Sequence, residues 1–558
     1  MHRVLTTPEL VDHIFSYSSR DDNAASALVC KSWVEIARDH IWDVVLTPCQ
    51  LFRLLAPTLC PENGDEEEVS HDFERFPTRA DWTRFQPFAR RVRHLEIVNS
   101  APCACKFPYY TRLIRDIALS RPDLIIFPNL RMLAVCGESI PQESTLLFLH
   151  PGLRDLSLIN PENSEYYPNH IFFEDVLSRV PALRSFSLTV RLGHAISSEE
   201  EATLARCLSA LPLLFVSLPQ YFITSKIVQA LSASPSLQIL TDLLFNLSAA
   251  YDALAPFSPI LPAGSFQSLE ILTLSAHFSD LIPVIQHATF SSKLRRLHIR
   301  ALRGEPRVAV QGLCTVISEY CLSLQNLALV MVRPKHFVAD ADRLAWGTDV
   351  GHEALQYDAI RSLVKLPQLF MLDVIHTKPL QLSDHDIEDI AKSKPDIVRL
   401  VLNPVPRRRT ERTLPLPTLL SLTHLARCCR YLRVVGLYID ARVPVDIHPS
   451  LCFEIWQLAS VYLRCSPIAE VQRRQVAMFL SRMLPPHAKF EKDPVQMAMD
   501  ACVGEVVPDS SWEWVEDRLS LLQEARWDEC ERRRLQCTCP PIPADGKVDA
   551  NGQLIRAT

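Results

Sequence analysis

Glycine is scarce in this chain, with 13 residues among 558. Nucleotide-binding loops and the α/β-hydrolase nucleophile elbow need glycines at fixed spacings, because the backbone must approach a phosphate or turn sharply. Neither signature occurs, and no His-Glu-x-x-His metalloprotease motif is found. The sequence therefore predicts no catalytic residues, no cofactor and no metal site, and it argues against an enzyme.

Three short fragments look chemical at first sight. Asp384–Asp386 includes His385 and resembles a catalytic fragment, but Ser383 followed by Asp386 is more simply a capping box that opens a helix. Cys103-x-Cys105 and Cys537-x-Cys539 could be read as metal-binding pairs. Structural zinc sites use C-x₂₋₄-C pairs, so both spacings are too tight, and the sequence favours loop cysteines without a ligand role.

Charge bias and long apolar runs are also missing. The chain has 58 basic and 64 acidic residues, so its net charge of −6 argues against a nucleic-acid partner. No stretch is long or apolar enough to predict a membrane span, and the first residues lack a secretory pattern. The 17 cysteines are an odd number, which indicates reduced thiols and a cytoplasmic or nuclear location, or both.

The first 45 residues carry the most specific pattern: Leu5-Thr-Thr-Pro8-Glu9-Leu10, then Ile14-Phe15-Ser-Tyr, Leu28-Val-Cys-Lys-Ser-Trp33, and Ile41-Trp42. Thr7 and Pro8 predict the start of a helix that places Leu10, Ile14 and Phe15 on one face. Asp21 and Asp22 predict the cap of a second helix.

This order and spacing resemble the F-box, and in particular the large families of F-box proteins in mushroom-forming fungi. The resemblance implies a helical module that binds a Skp-family adaptor and, through it, a cullin. The alternative is a plain helical cap that uses the same side chains as its own core. The resemblance implies adaptor contacts from ten residues: Pro8, Glu9, Leu10, Ile14, Phe15, Leu28, Val29, Cys30, Trp33 and Trp42.

From about residue 90 the chain repeats Leu-x-x-Leu-x-Leu, in strict or loosened form, on average about every 31 residues. Three inward apolar side chains per copy would stack between neighbouring copies and build one continuous core. Five clear copies start at Leu130, Leu153, Leu269, Leu294 and Leu324. Seven looser copies start at Val92, Leu183, Leu213, Leu237, Leu369, Ile397 and Leu432.

Amphipathic segments precede most copies, which predicts that helices alternate with parallel strands. They span 173–180, 199–211, 226–233, 310–320, 359–366, 384–392 and 419–427. The predicted fold class is α/β: a helical F-box followed by an irregular right-handed leucine-rich-repeat solenoid, with strands inside, helices outside and a helical C-terminal cap. The alternative is a doubly wound α/β domain.

Five segments follow from this organisation. The F-box spans 1–48, a linker with an acidic stretch 49–88, the solenoid 89–440, a helical C-terminal cap 441–536, and a disordered tail 537–558. The last strand is expected near Leu437, and 451–463, 469–484 and 510–534 are expected to be helical.

Extra residues fall after strands, and in a solenoid those connections emerge on one rim, which indicates a binding face. Harmless drift of surface loops is the alternative. Two basic patches are candidate target-binding sites, although solvated charge explains either one equally well. The rim patch contains Arg407, Arg408, Arg409 and Arg412, and the concave patch contains Arg296, His298 and Arg300.

Taken together, these features predict the substrate-recognition subunit of a Skp-cullin-F-box ubiquitin ligase. The F-box would bind the adaptor and the solenoid an unknown protein target. The alternatives are an interaction scaffold that does not support ubiquitin transfer, and an enzyme that uses the repeat body as a pocket.

Overall fold

The computed structural model describes most of the chain, with gaps between the described segments. The described residues are 3–46, 48–58, 72–98, 111–136, 145–160, 170–190, 196–219, 222–243, 256–301, 305–331, 354–376, 378–406, 415–444, 457–485, 487–490 and 510–536.

Three helices form the N-terminal module: α1 (Pro8–Ser16), α2 (Arg20–Ser26) and α3 (Lys31–Asp43). Pro8 lies in the first turn of α1 after an extended Thr7, as predicted. The predicted cap of α2 at Asp21 and Asp22 is wrong, because the helix begins earlier. The Ser19 hydroxyl accepts a hydrogen bond from the Asp22 amide, and Asp22 instead lies in the first helical turn.

Within the described residues, one 15-stranded parallel sheet follows, and its strands are hydrogen-bonded in the order of the sequence. A doubly wound domain reverses its strand order at a switch point, so this order excludes that alternative. All twelve predicted repeat copies lead into strands. The strands are β1 (Val44–Val45), β2 (His94–Val98), β3 (Met132–Cys136), β4 (Asp155–Asn160), β5 (Ser185–Val190), β6 (Phe215–Pro219), β7 (Ile239–Leu243), β8 (Ile271–Ser275), β9 (Arg296–Arg300), β10 (Asn326–Met331), β11 (Met371–His376), β12 (Arg399–Leu402), β13 (Val434–Leu437), β14 (Ser460–Tyr462) and β15 (Lys489–Phe490).

Helices precede most strands, and each of the seven predicted amphipathic segments overlaps one, although 359–366 is mostly a 3₁₀ helix. The remaining described α-helices are α4 (Pro48–Phe52), α5 (Arg79–Ala89), α6 (Thr111–Ser120), α7 (His170–Arg179), α8 (Ser198–Ala210), α9 (Ser225–Ser232), α10 (Phe278–Ile285), α11 (Ala288–Ser291), α12 (Arg307–Tyr320), α13 (Tyr357–Ile360), α14 (Asp384–Ser393), α15 (Leu420–Cys428), α16 (Arg473–Met483) and α17 (Ser510–Gln536). A 3₁₀ helix, Arg361–Lys365, follows α13.

The sheet continues beyond Leu437, where the sequence analysis places the last strand. The helix predicted over 451–463 is wrong where it is described, because Ser460–Tyr462 is strand β14. Leu458, Val461 and Leu463 are fully buried and repeat the Leu-x-x-Leu-x-Leu spacing. This segment is therefore one more loosened copy of the repeat.

One apolar core runs along the solenoid from Val45 to Leu519. Leu294, Leu297 and Ile299 represent a typical turn, and none of the three is exposed to solvent. Leu297 is in register with leucines of both neighbouring strands, as predicted for side chains that stack between copies. His298, between two inward residues, lies on the opposite face and is half-buried.

Leu297→Ala should lower the free energy of unfolding by about 2–5 kcal/mol, because it removes a fully buried side chain and leaves a cavity. His298→Ala should cost less than about 1 kcal/mol, since this side chain lies outside the core. Urea denaturation of both variants checks the strand alternation, and equal losses at the two positions would contradict it.

The long C-terminal helix α17 covers the last turns of the solenoid, and this helix was predicted. Trp512 is 1 % exposed, and its indole nitrogen donates to the Ser466 carbonyl at 2.7 Å. Gln523 donates to the Leu484 carbonyl at 3.1 Å, and Glu516 forms an ion pair with Arg464. The helix is therefore fixed by both apolar burial and hydrogen bonds.

Asp81 closes a capping box at the start of α5 and lies almost fully buried. It accepts hydrogen bonds from the Thr78 amide at 2.8 Å and from both terminal nitrogens of Arg75 at 2.6 and 2.9 Å. The Arg75 guanidinium and the Thr78 donors hold the pKa of this carboxyl well below its ordinary value of 3.8. The folded state therefore favours the charged form.

Asp81→Ala should lower the free energy of unfolding by about 1–3 kcal/mol at pH 7, because several donors lose their acceptor. A carboxyl with a depressed pKa stabilises the fold above its unfolded value and loses that effect as the pH falls. The difference between wild type and variant should therefore be constant down to about pH 5 and shrink below about pH 4. Urea denaturation of both proteins at several pH values measures this difference in the free energy of unfolding. A difference that grows as the pH falls would contradict the prediction.

Candidate docking surfaces

Helix α1 carries two neighbouring apolar stripes, of which one is buried and the other is exposed to solvent. Val11 and Phe15 face inward and are 2 % and 4 % exposed. Leu10, Ile14 and Tyr17 follow helical spacing on the outside and are 43, 43 and 82 % exposed. One helix thus closes the core of the small module and presents apolar surface to solvent.

A second exposed apolar pair follows α2. Leu28 is 88 % exposed and Val29 is 59 % exposed, just before α3 begins at Lys31. Single exposed apolar residues are normal on protein surfaces, but five large ones within twenty residues are not. This concentration marks a surface that is suited to a protein partner.

The ten predicted adaptor-contact residues separate into groups by burial. Phe15 and Trp33 pack against each other with their ring centroids 5.5 Å apart, and the Trp33 indole donates to the Leu5 carbonyl at 3.0 Å. Both support the exposed face from behind. Cys30 is half-buried, and six residues are exposed: Pro8, Glu9, Leu10, Ile14, Leu28 and Val29.

Cys30 precedes α3, directly beside the exposed pair. Its sulfur lies 3.1 Å from the Ser32 hydroxyl, and this hydrogen bond lowers the pKa of the Cys30 thiol. Tyr17 was not among the predicted contacts, although it continues the stripe of Leu10 and Ile14 by a further turn. The helical spacing alone could have identified it.

Trp42, the tenth predicted contact, lies where the module meets the first repeats. Its ring packs edge-on against Phe88 at 5.7 Å, and the Arg20 guanidinium lies over it at 5.2 Å. Arg91 forms ion pairs with Asp39 at 2.6 Å and with Glu35, both on α3. Trp42 therefore joins the module to the solenoid.

The chain passes from the module to the solenoid without a spacer. Helix α3 ends at Asp43, and the next two residues form β1, which pairs with β2 in parallel. Residues 49–88 are the predicted linker, yet they include Leu51, Phe52 and Phe85 of the fully buried core. The predicted acidic stretch at 61–69 lies outside the described residues.

The predicted concave basic patch has two accessible residues instead of three, because Arg300 is buried. Arg296 is exposed and His298 is half-buried, but Arg300 is only 7 % exposed. Arg300 forms an ion pair with Asp242, whose side chain is completely buried, so it is not available as a surface contact. The Ser275 hydroxyl donates to the same carboxylate at 2.7 Å.

His298 lies among three arginines of this face. Burial and the charges of Arg300, Arg296 and Arg399 lower the pKa of His298 to about 4, so the ring is neutral at physiological pH. Arg399 itself is bound to Asp373, with its Nε 2.8 Å from Oδ1. Arg296 is therefore the accessible cation of the predicted concave patch. The predicted rim residues Arg407, Arg408, Arg409 and Arg412 lie outside the described residues.

The fragment around His385 has a structural role. Ser383 and Asp386 form the predicted capping box of α14. Asp384 accepts hydrogen bonds from the Thr418 amide and hydroxyl, both at 2.8 Å, and from the Ser421 hydroxyl. Asp384 therefore holds the start of the next helix, α15, in place across the turn of the solenoid.

Within the described ranges, no cluster of three or more His, Cys, Asp or Glu side chains forms a metal site. Both predicted cysteine pairs lie outside those ranges. No helix among the described residues combines the length and apolar character that crossing a membrane requires.

Comparison with known proteins identifies the N-terminal module. Residues 8–46 match the family model described as F-box-like. No curated protein matches this chain. A chain of the solved yeast Rad7–Elc1 complex is similar, with 12 % sequence identity, 68 % of this chain and 79 % of that chain covered, and a TM-score of 0.33. A TM-score this low supports no conclusion about function. The chain therefore carries an F-box-like domain at residues 8–46, and a leucine-rich-repeat-like solenoid follows it.

Proposed function

We propose that this protein is the substrate-recognition subunit of a Skp-cullin-F-box ubiquitin ligase, acting in the cytoplasm or nucleus. The exposed apolar face of the F-box-like domain carries this proposal. Leu10, Ile14, Tyr17, Leu28 and Val29 would be buried by a Skp-family adaptor, which connects the chain to a cullin.

The solenoid holds the protein target, and ubiquitin transfer is carried out by other subunits. In such an assembly the receptor contributes proximity: it raises the local concentration of the target near a ubiquitin-charged enzyme. The direct passage from α3 into β1, together with the Arg91 ion pairs, supports this role, because it fixes the adaptor-binding surface relative to the solenoid.

Two parts of the solenoid are candidates for target recognition. The first is the predicted rim of long connections at 332–355 and 405–417, whose four arginines at 407–412 lie outside the described residues. The second is the concave face near Arg296.

Replacing each long connection by a short linker tests the rim: target capture should be lost while the solenoid remains folded. Unchanged capture assigns recognition to the concave face.

Co-expression with a Skp-family adaptor tests the proposed function. The two chains should co-purify as a stable complex, and adding a cullin and a ubiquitin-charged enzyme should yield ubiquitinated products. Failure to co-purify would remove the receptor function. Adaptor binding without ubiquitin transfer would instead identify an interaction scaffold.

A further inference from the structure

Four arginines occupy the same place in four consecutive turns of the solenoid, one residue before each strand. They are Arg93, Arg131, Arg154 and Arg184, which precede β2 to β5. Backbone hydrogen bonds connect the four residues in order. The amides of Arg131, Arg154 and Arg184 each donate to the carbonyl of the preceding arginine, at 2.8, 2.8 and 2.7 Å. Neighbouring strands are about 4.8 Å apart, so this arginine row is roughly 14 Å long.

The guanidinium groups of the arginine row are largely available. Arg131 and Arg184 are exposed, and neither forms an ion pair or a side-chain hydrogen bond with another described residue. Arg93 is 61 % exposed and lies 3.3 Å from Asp43. Arg154 is half-buried and donates to the Ala182 carbonyl at 3.0 Å.

Few acidic groups face the row. Asp43 forms an ion pair with Arg93, and Asp155 is in register with Ser185, the residue after Arg184. Burial raises the pKa of Asp155, and the nearby charges of Arg184 and His94 oppose that shift. The described residues therefore leave the arginine row with an excess of positive charge.

The row is confined to the turns next to the F-box-like domain. The same position carries in later turns, in order, Leu214, Gln238, Glu270, Arg295, Gln325, Phe370, Val398, Arg433 and Ala459. Arg295 lies 3.7 Å from Glu270, and Arg433 has uncharged neighbours in the row position. Among the described turns, consecutive arginines occur at this position only before β2 to β5, and Asp43 holds the same position before β1. Arg295 and Arg433 provide matched isolated controls.

We propose that the arginine row is a docking edge for an acidic segment of the target protein, one that carries carboxylate or phosphoserine side chains. Planar guanidinium groups bind both anions through paired hydrogen bonds, and Arg131 and Arg184 have no such partner among the described residues. The row is roughly 14 Å long, which matches about four residues of an extended chain and favours a short acidic protein segment. This inference rests on the proposed function, since it names the chemistry of the target.

Fluorescence anisotropy with the full-length protein bound to its adaptor tests the inference. The probes are two labelled eight-residue peptides, one of alternating glutamate and serine and one of alternating phosphoserine and glycine. Wild type should bind at least one of them, and binding should weaken as salt is raised. Arg131→Gln combined with Arg184→Gln should reduce the affinity about tenfold, or about 1.4 kcal/mol. The relative affinities of the two peptides show whether carboxylate or phosphate is preferred.

Arg295→Gln combined with Arg433→Gln is the control, and it should change the affinity by less than about twofold, because isolated surface charges contribute little. Both double variants should still co-purify with the adaptor, which separates failure of this inference from failure of the proposed function. Absent peptide binding, equal losses in both double variants, or tighter binding of a duplex DNA of equal charge would each overturn the docking edge.

Discussion

Leu10→Asp combined with Leu28→Asp should abolish adaptor binding while the protein remains folded. Both side chains are substantially exposed, at 43 and 88 %, so each new carboxylate is solvated in the free protein. In the complex both would be buried without a partner, and burying an unpaired charge is heavily penalised. A loss of affinity of at least about 100-fold is expected in a calorimetric titration with purified adaptor.

Two further variants separate docking from folding. Leu119→Asp places the same charge on an exposed leucine of α6, outside the F-box-like domain, and should leave adaptor affinity unchanged. Phe15→Asp should instead unfold the module, because Phe15 is 4 % exposed and packs against Trp33. Undiminished binding by the Leu10 and Leu28 double variant would place the adaptor on another face.

The solenoid was predictable because its physical constraint is local and repeated. Each turn must direct three apolar side chains into one core, so every copy shows the same spacing and the strand positions follow. The turn at Leu458 was missed because its copy contains valine at the second position and lies in a segment with helix-forming neighbours. Strands β1 and β15 each contain two residues, which is too short for any periodic pattern.

The exposed apolar face of α1 was only half predictable. Adjacent stripes of α1 are both apolar, and the sequence does not determine which one faces inward. The choice depends on Trp33 and Ala37, which come from α3 and form the inner side of the module with Val11 and Phe15. Phe15 was therefore grouped with Leu10 and Ile14, although the structure places them on different faces.

The arginine row needed the three-dimensional register. The pairs Leu130-Arg131, Leu153-Arg154 and Leu183-Arg184 are visible in the sequence, but they are about 23–30 residues apart. Their arginines become neighbours only because successive strands pair in parallel. A row of charge on a solenoid is thus encoded at the repeat period and not in any local run of basic residues.

The ion pair of Arg300 and Asp242 was unexpected for a related reason. Strand alternation predicts that Arg300 points away from the core, and it does, but its partner is 58 residues earlier in the chain. Asp242 stands where the repeat pattern places its third leucine. Strand β7 pairs with β8 only at Ile239 and Leu240, so Asp242 has no partner in β8, although it stays in register with Leu218 of β6. An acidic residue at a position that the repeat pattern gives to leucine was the sequence signal that this turn contains a buried ion pair.

Arg300→Ala should lower the free energy of unfolding by about 3–5 kcal/mol, because it leaves the buried carboxylate of Asp242 without its cation. The side chains are 9 and 0 % exposed, so solvent cannot replace the missing partner. Arg296→Ala, on the same strand but exposed, should cost no more than about 0.5 kcal/mol. Urea denaturation of both variants measures the difference, and similar losses would show that the pair adds little.

Replacing both members of the pair measures how much of the stability loss comes from leaving the buried Asp242 carboxylate without a cation. Asp242→Leu restores the leucine of the repeat pattern, and Arg300→Leu removes the cation at the same time. This double variant should be at least about 2 kcal/mol more stable than Arg300→Ala, since well-packed apolar residues often replace a buried ion pair without loss. If the double variant is as unstable as Arg300→Ala, the guanidinium contributes through its packing rather than through its charge.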